Sequence, residues 1–162
     1  MLIGVMADSH DNLPKVRQAV EFFNRKKVGL VLHAGDFIAP FVVIRELKDL
    51  ACPLIGVFGN NDGEKKGLRE VIGKIGEIHP SPFTLKKKKR RILLLHDPKN
   101  LEGVQTTQYD LIVYGHTHQS EIKRDGRTLL INPGECGGWL TGLSTIGLVD
   151  LDKMKAEIIT LP

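Results

Sequence analysis

Two observations predict that this 162-residue chain folds as an α/β domain, with two sheets packed face to face and helices outside. Apolar strand-like runs alternate with amphipathic helical segments through the first half, and short strands crowd the second half. That order of elements is what a two-sheet, layered architecture requires.

Leu2–Ala7 reads as a buried strand. Asp11-Asn12-Leu13-Pro14 then offers a cap and an early proline, and Val16, Ala19, Val20 and Phe23 recur at helical spacing. A second strand over Leu30–His33 precedes a helix over Pro40–Leu50. A third strand over Pro53–Phe58 precedes a helix over Glu64–Ile75, whose inner side carries Leu68, Val71, Ile72 and Ile75. Phe83–Lys86 and Arg91–Leu95 flank a basic run as a hairpin. Leu101–Thr107 reads as a short helix and Leu111–Tyr114 as a strand. Glu121–Arg124 turns at Asp125-Gly126 into Thr128–Asn132, and Ser144–Asp150 pairs with Lys155–Thr160 around Asp152-Lys153.

Composition bounds the class. With 41% hydrophobic and 26% charged residues, 162 residues build one core, so residues 1–162 are read as a single domain. No apolar run approaches the roughly 20 residues of a bilayer span, and Met1-Leu2-Ile3-Gly4 has no secretory character. The expectation is a cytoplasmic protein without a membrane partner. Cys52 and Cys136 form no motif and are read as buried thiols of a reducing compartment, with Cys136 close to site candidates. The net charge of +4 owes much to Lys86-Lys87-Lys88-Lys89-Arg90-Arg91. This run is read as a solvated hairpin turn; without interleaved aromatics it makes a poor single-strand nucleic-acid surface, though positive charge steers anionic substrates.

The informative residues follow the strands. Leu2–Ala7 leads into Asp8-Ser9-His10, Leu30–Leu32 into His33-Ala34-Gly35-Asp36, and Leu54–Phe58 into Gly59-Asn60-Asn61-Asp62. Ile92–Leu95 leads into His96-Asp97, and Leu111–Tyr114 into Gly115-His116-Thr117-His118. Ligands gather at the carboxyl ends of strands in α/β sheets, so five such loops are expected to converge. In each of Asp8-x-His10 and His116-x-His118, residues two apart in extended chain point to one side. Glycines 35, 59 and 115 are read as freeing tight turns beside the site. Asp8, His10, Asp36, Asn60, His96, His116 and His118 make seven candidate ligands, too many for one ion and suited to two that share a carboxylate. Imidazole, carboxylate and amide without thiolate suit borderline divalent metals. His33 and His79 are read as structural, and Asp62 as a helix cap.

Together these motifs resemble those of the calcineurin-like metallophosphoesterases, whose ordered signature is D-x-H, G-D, G-N-x-D/E, H and G-H-x-H. The match runs from Leu2 to His118, and Asn132-Pro133-Gly134 is similar to the small prokaryotic phosphodiesterase branch. The resemblance implies a four-layer αββα sandwich and a phosphodiesterase using two divalent ions, commonly manganese, with nickel, iron, cobalt or zinc also found. It implies that Asp8, His10, Asp36 and His118 hold one ion, and that Asp36, Asn60, His96 and His116 hold the other. A bridging hydroxide would attack phosphorus while Asn60 orients a small phosphate-ester substrate; Asn12, Asn61 and Asn132 are expected to line its pocket.

Two departures matter. Many relatives place histidine where this chain has Asn61, and an amide is no general acid. Leaving-group protonation then falls to His10 or water, and esters with acidic leaving groups are expected to be preferred. Asp97 stands where small members often carry glycine, adding negative charge near the second ion. The rival readings are a protein-binding scaffold, as in the similar small subunit of the eukaryotic retromer complex, and a nuclease favoured only by the basic run. A homodimer through sheet edges stays open.

Overall fold

A computed structural model describes all residues, Met1–Pro162. Eleven strands form two sheets: β1 Leu2–Met6, β2 Val31–His33, β3 Leu54–Val57, β4 Gly76–His79, β5 Phe83–Lys87, β6 Arg90–Leu94, β7 Leu111–Val113, β8 Glu121–Asp125, β9 Thr128–Asn132, β10 Thr145–Asp150 and β11 Lys155–Thr160. Three helices accompany them: α1 Leu13–Lys26, α2 Pro40–Arg45 and α3 Lys65–Ile72.

The first sheet runs β11-β10-β1-β2-β3-β4, with β1 to β4 parallel. The second runs β5-β6-β7-β9-β8, with β6, β7 and β9 parallel between antiparallel edges. Ile3, Val5, Leu30, Leu32, Leu94 and Ile131 belong to the buried cluster shared by the two sheets. The helices cover the other face of the first sheet through Val16, Val20, Phe23, Val42, Leu68 and Ile72. Burying each such side chain contributes roughly 1.5–3 kcal/mol. The outer face of the second sheet buries Leu93, Ile112 and Leu130 beneath Leu101, Val104 and Tyr109. The outermost layer there is built of short 3-10 turns, Pro98–Leu101 and Thr106–Gln108.

The α1 start follows its sequence signals. Oδ1 of Asn12 accepts from the Lys15 amide at 3.4 Å, Pro14 sits in the first turn, and Lys27 ends the helix at φ 53°.

Three elements differ from expectation. The helix over residues 40–50 stops at Arg45, because Glu46 leaves helical geometry at φ −122°. Its buried carboxylate accepts from Nε and Nη2 of Arg17 on α1 at 2.9 and 2.7 Å. The helix expected over Leu101–Thr107 is absent; Gly103 at φ +76° divides the segment into turns. Strand β4 has no periodic signal in Gly-Glu-Ile-His and exists because β3 offers it a parallel edge.

The basic run crosses the β5–β6 turn, with Lys88 and Lys89 at φ 45° and 65°. It lies at the start of β6, whereas His96 follows its end. The five-residue strand between spans about 17 Å.

Candidate metal centre

All five strand-end loops meet at one rim. Oδ2 of Asp36 lies 3.6 Å from Nε2 of His10 and 3.5 Å from Nε2 of His96. Oδ1 of Asp8 lies 4.0 Å from Nε2 of His10 and 3.7 Å from Nε2 of His118. Oδ1 of Asn60 is 2.7 Å from Nε2 of His96 and 3.0 Å from Nδ1 of His116. The seven sequence candidates therefore form one cluster, and Asp36 at 1% exposure sits in its floor.

The backbone that does this is strained. Asp8, His10, Asp36, His116 and His118 all have positive φ, between 42° and 69°. Such conformations cost of order 1–3 kcal/mol each and concentrate at ligand clamps. The expectation that D-x-H and H-x-H act as extended chain is thereby corrected. Left-handed kinks aim these side chains, and they separate the last pair: His118 turns Nε2 toward Asp8, whereas His116 turns Nδ1 toward Asn60. Gly59 and Gly115 are likewise not turn glycines, since neither has positive φ. A Cβ on Gly115 would come within 2.8 Å of Oδ2 of Asp8, and one on Gly59 would collide with the Asp36 carboxylate. Close approach explains both.

The distal nitrogens of three imidazoles have acceptors nearby. Nδ1 of His96 is 2.8 Å from the Ala34 carbonyl, Nε2 of His116 is 3.8 Å from Asp97, and Nδ1 of His118 is 3.3 Å from Oε1 of Glu135, close but not aligned as a hydrogen bond. Such outer partners orient histidine ligands. Because a carbonyl only accepts, Nδ1 of His96 carries the proton and its Nε2 offers a lone pair to the cluster. There it meets Oδ1 of Asn60 and Oδ2 of Asp36, which also offer only lone pairs. Oδ1 of Asp8 and Nε2 of His10 are buried without hydrogen-bond partners. Burial, and then the neighbouring Asp36 charge, push the Asp8 carboxyl up to about 8. Burial lowers the His10 pKa, outweighing the pull of Asp36. Converging lone pairs and orphaned buried ligand atoms of this kind fit divalent metal ions.

The asparagines divide. Asn61 sits on the site, its backbone and side-chain nitrogens donating to Oδ1 and Oδ2 of Asp36 at 2.9 and 2.7 Å. Asn132 is fully buried: Nδ2 donates to the Gly115 carbonyl at 3.1 Å and to Oγ1 of Thr117 at 2.9 Å, bracing the histidine loop. Asn12 is partly buried; besides capping α1, its Nδ2 donates to the Gly137 carbonyl at 2.6 Å.

Three further residues support the centre. Asp62 does not cap α3; its carboxylate accepts from the amides of Asp36, Ile38 and Gly59 and locks two ligand loops together. His33 is structural, stacked on Phe37, with Nδ1 accepting from Gly35 and Nε2 directed at Ser9. Glu135 escaped the sequence reading. It is fully buried, and although burial raises its pKa, the amides of Thr141, Leu140 and Trp139 and the Thr141 hydroxyl bring the net pKa down. Its only sequence signal is a lone acid within Gly134-Glu135-Cys136-Gly137-Gly138. Cys136 is no ligand: it packs in the helix-side core, and burial pushes its thiol up to about 12.

Comparison with known proteins agrees with this geometry. A calcineurin-like phosphoesterase superfamily domain matches residues 1–154. The chain is 39% identical to a phosphodiesterase of Methanocaldococcus jannaschii, over 99% of both chains. It is 28% identical to phosphodiesterase YfcE of Escherichia coli, covering 83% of this chain and 78% of that one. A solved archaeal phosphodiesterase superposes with a TM-score of 0.93 at 36% identity, covering 99% of this chain and all of the other. Vacuolar protein sorting 29 of Cryptosporidium parvum, at a TM-score of 0.66, 19% identity and coverages of 98% and 95%, shares the fold alone. By its signature residues, its two-sheet architecture and a family match over nearly its whole length, this chain belongs to the calcineurin-like phosphoesterase superfamily.

Proposed function

We propose that this chain is a phosphodiesterase working with two divalent cations, one held by Asp8, His10, Asp36 and His118 and the other by Asp36, Asn60, His96 and His116. The observation that carries the reading is the place of one oxygen. Oδ2 of Asp36 stands within 3.6 Å of the His10 imidazole and 3.5 Å of the His96 imidazole. A single buried carboxylate therefore faces both halves of the donor set. When bound, such a pair supplies water activation near neutral pH and charge neutralisation at phosphorus. Manganese is our first choice because the family resemblance implies it; the imidazole, carboxylate and amide donors suit nickel, iron, cobalt or zinc as well.

The chain's own groups do the rest. Asn60 is exposed at the rim with its carbonyl turned inward, which leaves its Nδ2 to donate to a phosphoryl oxygen. Asn61 holds Asp36 and donates no acidic proton. His10 serves as a ligand, and protonation of the departing oxygen falls to His10 or water. Esters of acidic alcohols are therefore the preferred substrates.

The ligands span Asp8 to His118 and Glu135 braces them, so residues 1–162 act as one catalytic unit. No helix is long and apolar enough to cross a membrane. Two free cysteines fit a reducing cytoplasm and its small phosphate esters. The basic hairpin faces away from the rim, which disfavours a nuclease; all seven ligand positions are filled, which disfavours a scaffold.

The test is hydrolysis of bis(4-nitrophenyl) phosphate by manganese-loaded protein, together with anomalous scattering from its crystals. We expect two metal peaks flanking Asp36, and Asp36→Ala should abolish turnover. Intact turnover in that variant would overturn the reading.

A further inference from the structure

Beside the metal centre lies an apolar rim. Trp139, Leu140 and Leu143 are 65%, 78% and 59% exposed. Scattered exposed hydrophobics need no explanation, but three within five residues, next to a site, do. The segment is also firmly held. The buried Glu135 carboxylate accepts from the amides of Trp139, Leu140 and Thr141 at 2.7–3.1 Å, and Asn12 grips the Gly137 carbonyl.

Its attachment points are the metal ligands themselves. Nε1 of Trp139 donates to the His10 carbonyl at 3.1 Å, so the indole hangs from one ligand residue. The same Glu135 that anchors the rim stands 3.3 Å from His118. Thr141 and Leu143 join His118, Gln119, Ser120 and Thr145 around a cavity of about 260 Å³. That falls just under the roughly 300–1,000 Å³ of common small-molecule pockets, and Trp139 is not part of its lining.

We propose that Trp139 is a substrate-binding residue whose indole stacks on an aromatic substituent of the phosphodiester, making planar aryl or nucleobase-bearing diesters the substrate class. This rests on the phosphodiesterase reading above. The indole edge that bears Nε1 is committed to His10, so a large part of the ring is left for contact. Aromatic pairing adds to simple burial, and stacking on a protein aromatic is tolerant of which ring is presented. An alkyl substituent gains none of this.

Trp139 is the only tryptophan in the chain, so its fluorescence reads the contact without catalysis. With manganese-loaded protein, 4-nitrophenylphosphonate should quench that emission saturably, and methylphosphonate should not. As competitive inhibitors of bis(4-nitrophenyl) phosphate hydrolysis, the aryl phosphonate should bind better than the methyl one. Trp139→Ala should cut that preference roughly tenfold, and Trp139→Phe should restore most of it. Three results would overturn the inference: no saturable quenching, an equal loss of both inhibitors in Trp139→Ala, or a variant that changes only oligomeric state, which would mark a contact between copies. If the unaltered protein hydrolyses no diester, the proposed function itself fails. Quenching still reports on the stack alone.

Discussion

Oε1 of Glu135 lies 3.3 Å from Nδ1 of His118, and Nε2 of the same ring lies 3.7 Å from Asp8. A buried carboxylate thus stands behind a proposed ligand, His118, while holding the 139–141 segment. Glu135→Gln keeps the shape and removes the charge. Manganese affinity, read by calorimetric titration, should fall about 10–100-fold. An unchanged affinity would mean that the carboxylate serves the loop alone.

His33 sets a pH dependence. Burial holds its pKa well below 6.5, so the unfolded chain binds more protons than the folded one as pH falls below about 6.5. Stability therefore drops on acidification through that range. Metal-free Asp8 has the opposite sign: its pKa is raised from 3.8 to about 8, so the folded state binds more protons and loses stability as pH rises between those values. The difference between the unaltered protein and His33→Phe isolates His33, because Asp8 contributes equally to both. Metal-free melts at pH 5 to 7 should show the variant's relative stability improving toward pH 5. A pH-independent difference would contradict the assignment.

Asn61 is where leaving-group chemistry can be restored. Its amide reaches Asp36 but cannot supply a proton. General-acid help is typically worth about 10²–10⁴ in rate. Asn61→His should raise turnover of alkyl phosphodiesters about 10–100-fold, with a smaller gain for nitrophenyl esters. Equal gains for both would point to altered metal binding instead, and metal content would show it.

The basic hairpin offers a stability test away from the rim. Lys88 and Lys89 occupy left-handed backbone at φ 45° and 65°, a turn that favours an asparagine followed by a glycine. Combining Lys88→Asn with Lys89→Gly should stabilise the protein by about 1 kcal/mol, raising the melting temperature by roughly 2–4 °C. Diesterase activity should not change. A large fall in activity would give the basic run a part in binding substrate.

Much of the architecture was legible in local pattern. The 3.6-residue recurrence of Val16, Ala19, Val20 and Phe23 named the buried face of α1 correctly. The β5–β6 hairpin was visible because two apolar strands flank a polar turn. Pattern failed where a neighbour decides the outcome. Glu46 interrupts a helix to meet Arg17, Gly103 interrupts another, and β4 borrows its order from the edge of β3.

The same division holds at the centre. Residue type and position after a strand were enough to expect Asp8, His10, Asp36, Asn60, His96, His116 and His118 at one rim, where the structure brings them together, because parallel strands end on one side of the sheet. Which nitrogen each histidine presents, the left-handed backbone that aims it, and the support from Glu135 and Asp62 depend on tertiary contacts. So do the hydrogen-bond partners of Asn12 and Asn132, since an amide binds whatever carbonyl folding brings to it. Hydrogen-bond partners distant in sequence are set by the packing of the two sheets, and no local run of residues encodes them.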